Sequence, residues 1–154
     1  VAIWGPMQTE NIGIEKVVAN VISNPNIRFL ILFGTDVKGH RSGSSLLSLY
    51  KNGIDDNNRI KEAPGAVPYI ENLPSEAISR FQSQISIIDL MENTDVDALE
   101  IAVDECILKN PGPMNEPFIV VEEKRNTVQA KTGEINLHHR VKLTILGEVA
   151  KMEE

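Results

Sequence analysis

Cysteine is almost missing from this chain: Cys106 is the single one among 154 residues. One thiol cannot build an intrachain disulfide framework, so the fold must rest on a buried core, and a chain of this length puts about two thirds of its unfolded surface inside. One domain is expected from length alone. Basic charge is scarce as well, with 15 Lys and Arg against 22 Asp and Glu and a net charge of -7, for a pI near 5.0. Nucleic acids and anionic membranes require a basic face, so both are disfavoured as partners. No apolar run approaches the ~18 residues of a membrane span, and no charged-apolar-small pattern marks a signal peptide. A cytoplasmic chain is expected, although it begins at Val1 without methionine, as a fragment would. Gly-Lys-Ser and Gly-Lys-Thr are both absent, which excludes a standard nucleoside triphosphate loop.

What is present alternates between helix and strand patterns, the mark of an α/β protein with a doubly wound, mostly parallel sheet. Val1 to Trp4 reads as a first strand. Ile14, Val17, Val18, Val21 and Ile22 then recur at helical spacing up to Asn24-Pro25. Ile27 to Phe33 is nearly all apolar, as a strand covered on both faces would be. Leu46, Leu47, Leu49 and Tyr50 mark a helix over Gly43 to Asn52, stopped at Asn52-Gly53. Pro74-Ser75-Glu76 opens a helix to about Gln82, and Ile85 to Leu90 reads as the next strand. Thr94 and Asp97 offer a helix cap, after which Val96, Leu99, Val103, Cys106 and Ile107 form an apolar stripe. That stripe makes Cys106 a buried small hydrophobe rather than a reactive thiol. Asn110-Pro111-Gly112-Pro113 ends the helix before a fourth strand, Phe118 to Val121.

The residues divide at this point into a domain over 1–121 and an extension over 122–154. The extension alternates about Thr132-Gly133, through Val128, Ala130, Ile135, Leu137, Val141, Leu143 and Ile145, and reads as a hairpin or edge addition. His138 and His139 are neighbours on a strand, so their side chains face opposite ways and chelate poorly. They are expected at the surface.

His40 is the residue that points to chemistry. It stands in a loop between a strand and a helix, where α/β proteins hold phosphates and cofactors. Gly34, Gly39 and Gly43 let the backbone approach a bulky planar ligand or adopt positive φ, and Ser42, Ser44 and Ser45 offer hydroxyls beside free helix-start amides. An imidazole here can reach a transition metal. The other histidines and the scattered carboxylates give no internal acid-base pair, so a self-contained enzyme is not expected. A phosphate- or nucleotide-binding module would use the same loop without a metal. The loop Ala63-Pro64-Gly65-Ala66-Val67-Pro68-Tyr69 is rigid and apolar, and is a candidate lid or simple connector.

Three runs carry a family resemblance: Thr9 to Asn20 (TENIGIEKVVAN), Ser23 to Leu32 (SNPNIRFLIL), and Val37-Lys38-Gly39-His40 with Gly43, Ser45, Leu46 and Asn52-Gly53. Across about Val1 to Val121 the chain resembles the A subunit of tetrahydromethanopterin S-methyltransferase, the corrinoid-carrying component of a methanogen enzyme complex. The resemblance implies a Rossmann-like domain that binds one cobamide or cobalamin, with His40 as the lower axial ligand of cobalt. It also implies transfer of a methyl group from methyl-tetrahydromethanopterin to coenzyme M, together with partner subunits and coupling to sodium movement. The sequence shows no C-terminal membrane helix, so the chain is either a soluble portion of that family's membrane-bound protein or a cytoplasmic homologue with another methyl-transfer or cobamide-handling role. Gly34, Thr35, Asp36, Gly39, Gly43, Ser44 and Ser45, with Ala66, Val67 and Pro68 of the second loop, are the expected cofactor contacts. A carboxylate should support the ring of His40 on its other nitrogen. Glu10 and Asp36 are equal candidates for that role.

Overall fold

The computed structural model describes residues 3–120 and, beyond them, the backbone of Ile135–His138, Val141–Leu143 and Val149–Lys151. The chain divides into two units, Val1–Val121 and Glu122–Glu154. No helix among the described residues is long and apolar enough to cross a membrane.

In the first unit, α1 (Ile12–Ile22) starts where Asn11 accepts a hydrogen bond from the Ile12 amide and Thr9 Oγ1 accepts one from Gly13. Its helical periodicity predicts the buried side, since Ile14, Val18, Val21 and Ile22 all enter the core. β1 (Phe29–Gly34) follows, then α2 (Ser42–Asn52), α3 (Ser75–Gln84) and β2 (Ser86–Met91). β1 and β2 pair in parallel from Phe29 opposite Ser86 to Gly34 opposite Met91. Side chains alternate across a strand. Leu30 and Leu32 therefore meet the core beneath α1, α2 and α3, where Leu46, Leu49, Ile60, Ile70, Ala77 and Phe81 are buried. On the other face, Phe29 and Ile88 border a cavity of about 220 Å³ with Ala102 and Cys106 of α4 (Val96–Leu108).

Buried polar groups are tied to chain ends, as burial requires. Glu15 accepts hydrogen bonds from the Glu71 and Asn72 amides, and the Gln84 side-chain amide donates to the carbonyls of Val21 in the last turn of α1 and of Asn24 and Ile27 just past it. These two residues fix α1 to the segment before α3 and to the last residue of α3.

Helices and parallel strands confirm a mixed α/β class, but two of the expected strands are not formed among the described residues. Ile3 and Trp4 are exposed, with no ladder partner to turn an apolar run into a strand; Val1 and Ala2 lie outside the described residues. Phe118 and Val120 pack against the core, yet the Phe118 amide donates to the Ile22 carbonyl at the end of a helix rather than to a strand. Among the described residues of this unit the parallel sheet has two strands. α4 forms as expected with Asp95, not Thr94, as its cap, but none of its residues is buried and Cys106 is half-buried. Burial there still pushes the Cys106 thiol up.

The second unit contains an antiparallel meander, β3 (Ile135–His138), β4 (Val141–Leu143) and β5 (Val149–Lys151). β3 and β4 pair with Ile135 opposite Leu143 and His138 opposite Val141. The expected centre at Thr132-Gly133 and the residue His139 fall outside the described residues.

Candidate functional site

The two parallel strands end side by side, tied by the Gly34 amide donating to the Asn93 carbonyl and the Glu92 amide donating to that of Gly34. The chain then leaves β1 through Thr35 to Arg41. Gly34 and Gly39 take φ of +90° and +83°, and Arg41, at +45°, is left-handed immediately before α2. A non-glycine residue there costs on the order of 1 kcal/mol and persists only where the surroundings impose it. Asp36 imposes it. Its Oδ1 accepts from the amides of Val37 and Gly43, and its Oδ2 from the amide of Ser44 at 3.0 Å and the hydroxyl of Ser44 at 2.7 Å. The α2 amides at Gly43 and Ser44 are thus capped by an internal carboxylate seven residues upstream of Gly43. Burial alone would raise the Asp36 pKa, but these Ser44, Gly43 and Val37 bonds outweigh it and hold the carboxyl below its usual range.

The tight turn presents His40, whose side chain is 54% exposed. Its Nδ1 lies 2.7 Å from Oε2 of Glu10, a residue 30 positions earlier whose side chain is 2% exposed. The segment before α1 reaches this point because the Ser42 hydroxyl donates to the Met7 carbonyl at 2.9 Å. The other Glu10 oxygen accepts from the Val67 amide at 2.8 Å. Burial works to raise the Glu10 pKa, yet the Val67 amide, its own amide and His40 together lower it, so the carboxylate is ionised. An ionised acceptor at Nδ1 puts the neutral ring's proton on that nitrogen and leaves the Nε2 lone pair bare.

Both acids expected to support the ring therefore lie in the site, with separate tasks: Glu10 meets His40 and Asp36 caps the helix. A cleft of about 410 Å³ opens at the carboxyl ends of the strands, lined by Thr35, Asp36, Val37, Lys38, Gly39, Arg41, Ser44, Met91 and Glu92. Gly34 and His40 border it in sequence without lining it. A β-carbon on Gly43 would stand 2.8 Å from Met91 Sδ, so a side chain there would displace the methionine that lines the cleft. Ser45 is fully buried and accepts from the Gly65 amide. Of the second loop, Val67 reaches Glu10 through its backbone while its side chain is exposed, Ala66 is exposed, and Pro68 is buried with its carbonyl taken by the Ile60 amide. Rather than a free lid, this loop is the support of Glu10.

Gly65, Met91 and Glu92 are site residues that sequence reasoning passes over. Met91-Glu92 carries a usable signal, because it directly follows a parallel strand and α/β clefts open at such ends. Among the described residues no three His, Cys, Asp or Glu side chains converge as a metal site. One imidazole with a bare Nε2 is too little to hold a free ion and is suited to a metal whose other positions are already filled.

Comparison with known proteins gives a consistent result. The family model for the A subunit of tetrahydromethanopterin S-methyltransferase matches residues 1–131. A protein of that name from Methanobrevibacter ruminantium, the first of two such subunits there, is 50% identical over 134 residues, covering 86% of this chain and 55% of the relative. Its counterpart from Methanothermobacter thermautotrophicus is 49% identical over 135 residues, covering 87% and 57%. The Methanosarcina barkeri protein of the same name is 47% identical over 142 residues, covering 87% and 59%. The chain thus spans little more than half the length of these relatives.

Proposed function

The chain belongs to the family of the A subunit of tetrahydromethanopterin S-methyltransferase, and from that premise we propose that it is a corrinoid-binding methyl carrier in which His40 would hold the cobalt. The observation that carries this reading is the Glu10–His40 contact. A buried, ionised carboxylate fixes Nδ1–H of a half-exposed imidazole and turns its other nitrogen into a directed donor, the arrangement in which metal-bound histidines are commonly supported. The donor set fits the cofactor: a corrinoid brings its own cobalt and most of the ligands to it, and the free ring nitrogen of His40 would supply one more.

When bound, the corrinoid supplies a cobalt centre that takes up and gives up a methyl group, chemistry that no side chain here possesses. The protein's part is ligation, orientation and proton placement. His40 would hold the metal through Nε2, Glu10 keeps the proton on Nδ1 whether or not Nε2 is engaged, and Val67 keeps Glu10 ionised. Thr35, Gly39 and Ser44 would meet the periphery of the macrocycle at the cleft, with Lys38 and Arg41 beside them. The order of helices around β1 and β2, with helices on both sheet faces, agrees with a Rossmann-like doubly wound sheet whose ligand lies at the carboxyl ends of its strands. Methyl transfer from methyl-tetrahydromethanopterin to coenzyme M, coupling to sodium movement and a place at the cytoplasmic face of a membrane belong, in this reading, to the assembled complex. Its other components would activate donor and acceptor.

The rival reading, a phosphate or nucleotide module, is weakened by Asp36. The amides of Gly43 and Ser44 that an incoming phosphate would use already bind a carboxylate, which would repel it. The test is titration of the purified protein with hydroxocobalamin followed by visible spectra, and by electron paramagnetic resonance of the reduced cob(II)alamin with 15N-labelled histidine. Wild type is expected to show nitrogen hyperfine coupling from the labelled protein. His40→Ala should abolish it, and persistence of the same coupling in that variant would refute the assignment.

A further inference from the structure

Gly65 has no role in helix or strand, and its φ is not one that demands glycine. What it lacks is space. A β-carbon built on it would stand 2.6 Å from the backbone carbonyl oxygen of His40, 2.7 Å from Cγ of Glu10 and 2.8 Å from Oγ of Ser45. All three lie inside any tolerable carbon contact, and the nearest belongs to backbone rather than to a yielding side-chain tip. The same residue donates its amide to Ser45 Oγ at 3.3 Å, within α2. Two residues on, Val67 donates to Glu10. The 63–68 loop therefore touches all three parts of the site at once: the turn that carries His40, the carboxylate that orients its ring, and the helix behind both.

We propose that Gly65 is a positioning residue, the point of close approach through which the 63–68 loop clamps Glu10 onto His40 and so selects the ring tautomer with a bare Nε2. The clamp works by distance. With hydrogen at residue 65, the loop comes close enough for the Val67 amide to reach Oε1, and Oε2 is left with His40 as its partner. A methyl group at that point pushes the loop from the His40 carbonyl, draws the Val67 amide off Glu10, and frees the carboxylate to swing from Nδ1. The ring then loses its reason to keep the proton there. This inference deepens the proposed function and uses the same His40, but the tautomer can be read without any cofactor.

The experiment is 15N NMR of the cofactor-free protein with labelled histidine, recorded up a pH series until the histidine signals no longer move, so that the neutral ring is the species read. His40→Ala identifies the His40 signals among the three histidines. Wild type is expected to carry the proton on Nδ1, whereas Gly65→Ala should show growth of the Nε2–H form and a cobalamin affinity lower by about 10- to 100-fold. Ser45→Ala adds no volume, removes only the acceptor of the Gly65 amide, and should move the same signals in the same direction by less. Circular dichroism establishes that each variant is folded. A folded Gly65→Ala protein with the wild-type tautomer overturns the clamp. If Gly65→Ala does not fold, an unchanged tautomer in Ser45→Ala overturns it instead. A wild-type protein that shows Nδ1–H but binds no cobalamin refutes the carrier reading and leaves the clamp standing, so the two failures are distinguishable.

Discussion

Replacing Glu10 by Gln keeps the shape of the site and inverts one of its hydrogen bonds. The glutamine oxygen can still accept from the Val67 amide, which places its NH2 opposite Nδ1 of His40. Flipping the amide to offer oxygen to His40 turns the NH2 onto the Val67 N–H, donor against donor. Whichever way it lies, one partner is wrong, and the soft one is the imidazole: its proton moves to Nε2 and Nδ1 accepts from the amide. A hydrogen bond to a charged acceptor contributes about 1.5–3 kcal/mol and a neutral one about 0.5–1.5 kcal/mol. The difference, ~1–2 kcal/mol, opposes any state in which Nε2 must be bare, and every 1.4 kcal/mol is about tenfold in affinity. Glu10→Gln should accordingly weaken hydroxocobalamin binding roughly 5- to 30-fold, while the unfolding midpoint moves little, because a buried charge has been removed along with its partner bond. A spectral titration against wild type, with His40→Ala as the floor, measures the loss. Affinity within about twofold of wild type would refute the argument that the ring is held by ionised Glu10.

Two further outcomes concern the frame around the site. Asp36→Ala removes the cap of α2 and should cost about 0.5–2 kcal/mol in urea unfolding. Since the folded Asp36 carboxyl lies below its ordinary 3.8, this contribution is complete at neutral pH and is lost as pH falls through the folded-state value. The gap between wild type and variant should therefore be constant near neutrality and close on acidification; a gap that widens in acid refutes the cap. Gln84→Leu deprives the carbonyls of Val21, Asn24 and Ile27 of a buried donor and should destabilise by about 1–3 kcal/mol, measured by the same unfolding. A change under ~0.5 kcal/mol would show that water satisfies those carbonyls.

The helices and both paired strands are legible in the sequence because their signals are local. Ile14, Val18, Val21 and Ile22 announce the buried side of α1, the near-continuous apolar run Ile27 to Phe33 gives β1, and the largely apolar run Ile85 to Leu90 gives β2. Strand formation at Val1 to Trp4 and Phe118 to Val121 is not decidable in that way. An apolar run becomes a strand only when another backbone lies beside it, and pairing is a non-local fact. The α4 stripe has the same weakness: Leu99, Val103 and Cys106 are half-buried, while Val96 and Ile107 are exposed. Periodicity predicts the helix and says nothing about what covers it. In the extension the antiparallel pairing expected there is present, but alternation continues on either side of any candidate turn, so only the ladder fixes the register, here Ile135 opposite Leu143.

The choice between Glu10 and Asp36 shows where sequence reading of the site stops. Both are acids at a helix start or a loop beside His40, and each has an ordinary structural use there, so the sequence leaves them level. Three-dimensional occupancy separates them. Asp36 spends both oxygens on Val37, Gly43 and Ser44, because a chain leaving β1 and re-entering as a helix must satisfy the helix amides within a few residues. Glu10 is 30 positions from His40 and reaches it only because Ser42 anchors Met7 and Gly65 admits the loop that carries Val67. Nearness along the chain thus favours the acid that serves the backbone, while the acid that serves the imidazole is delivered by tertiary contacts.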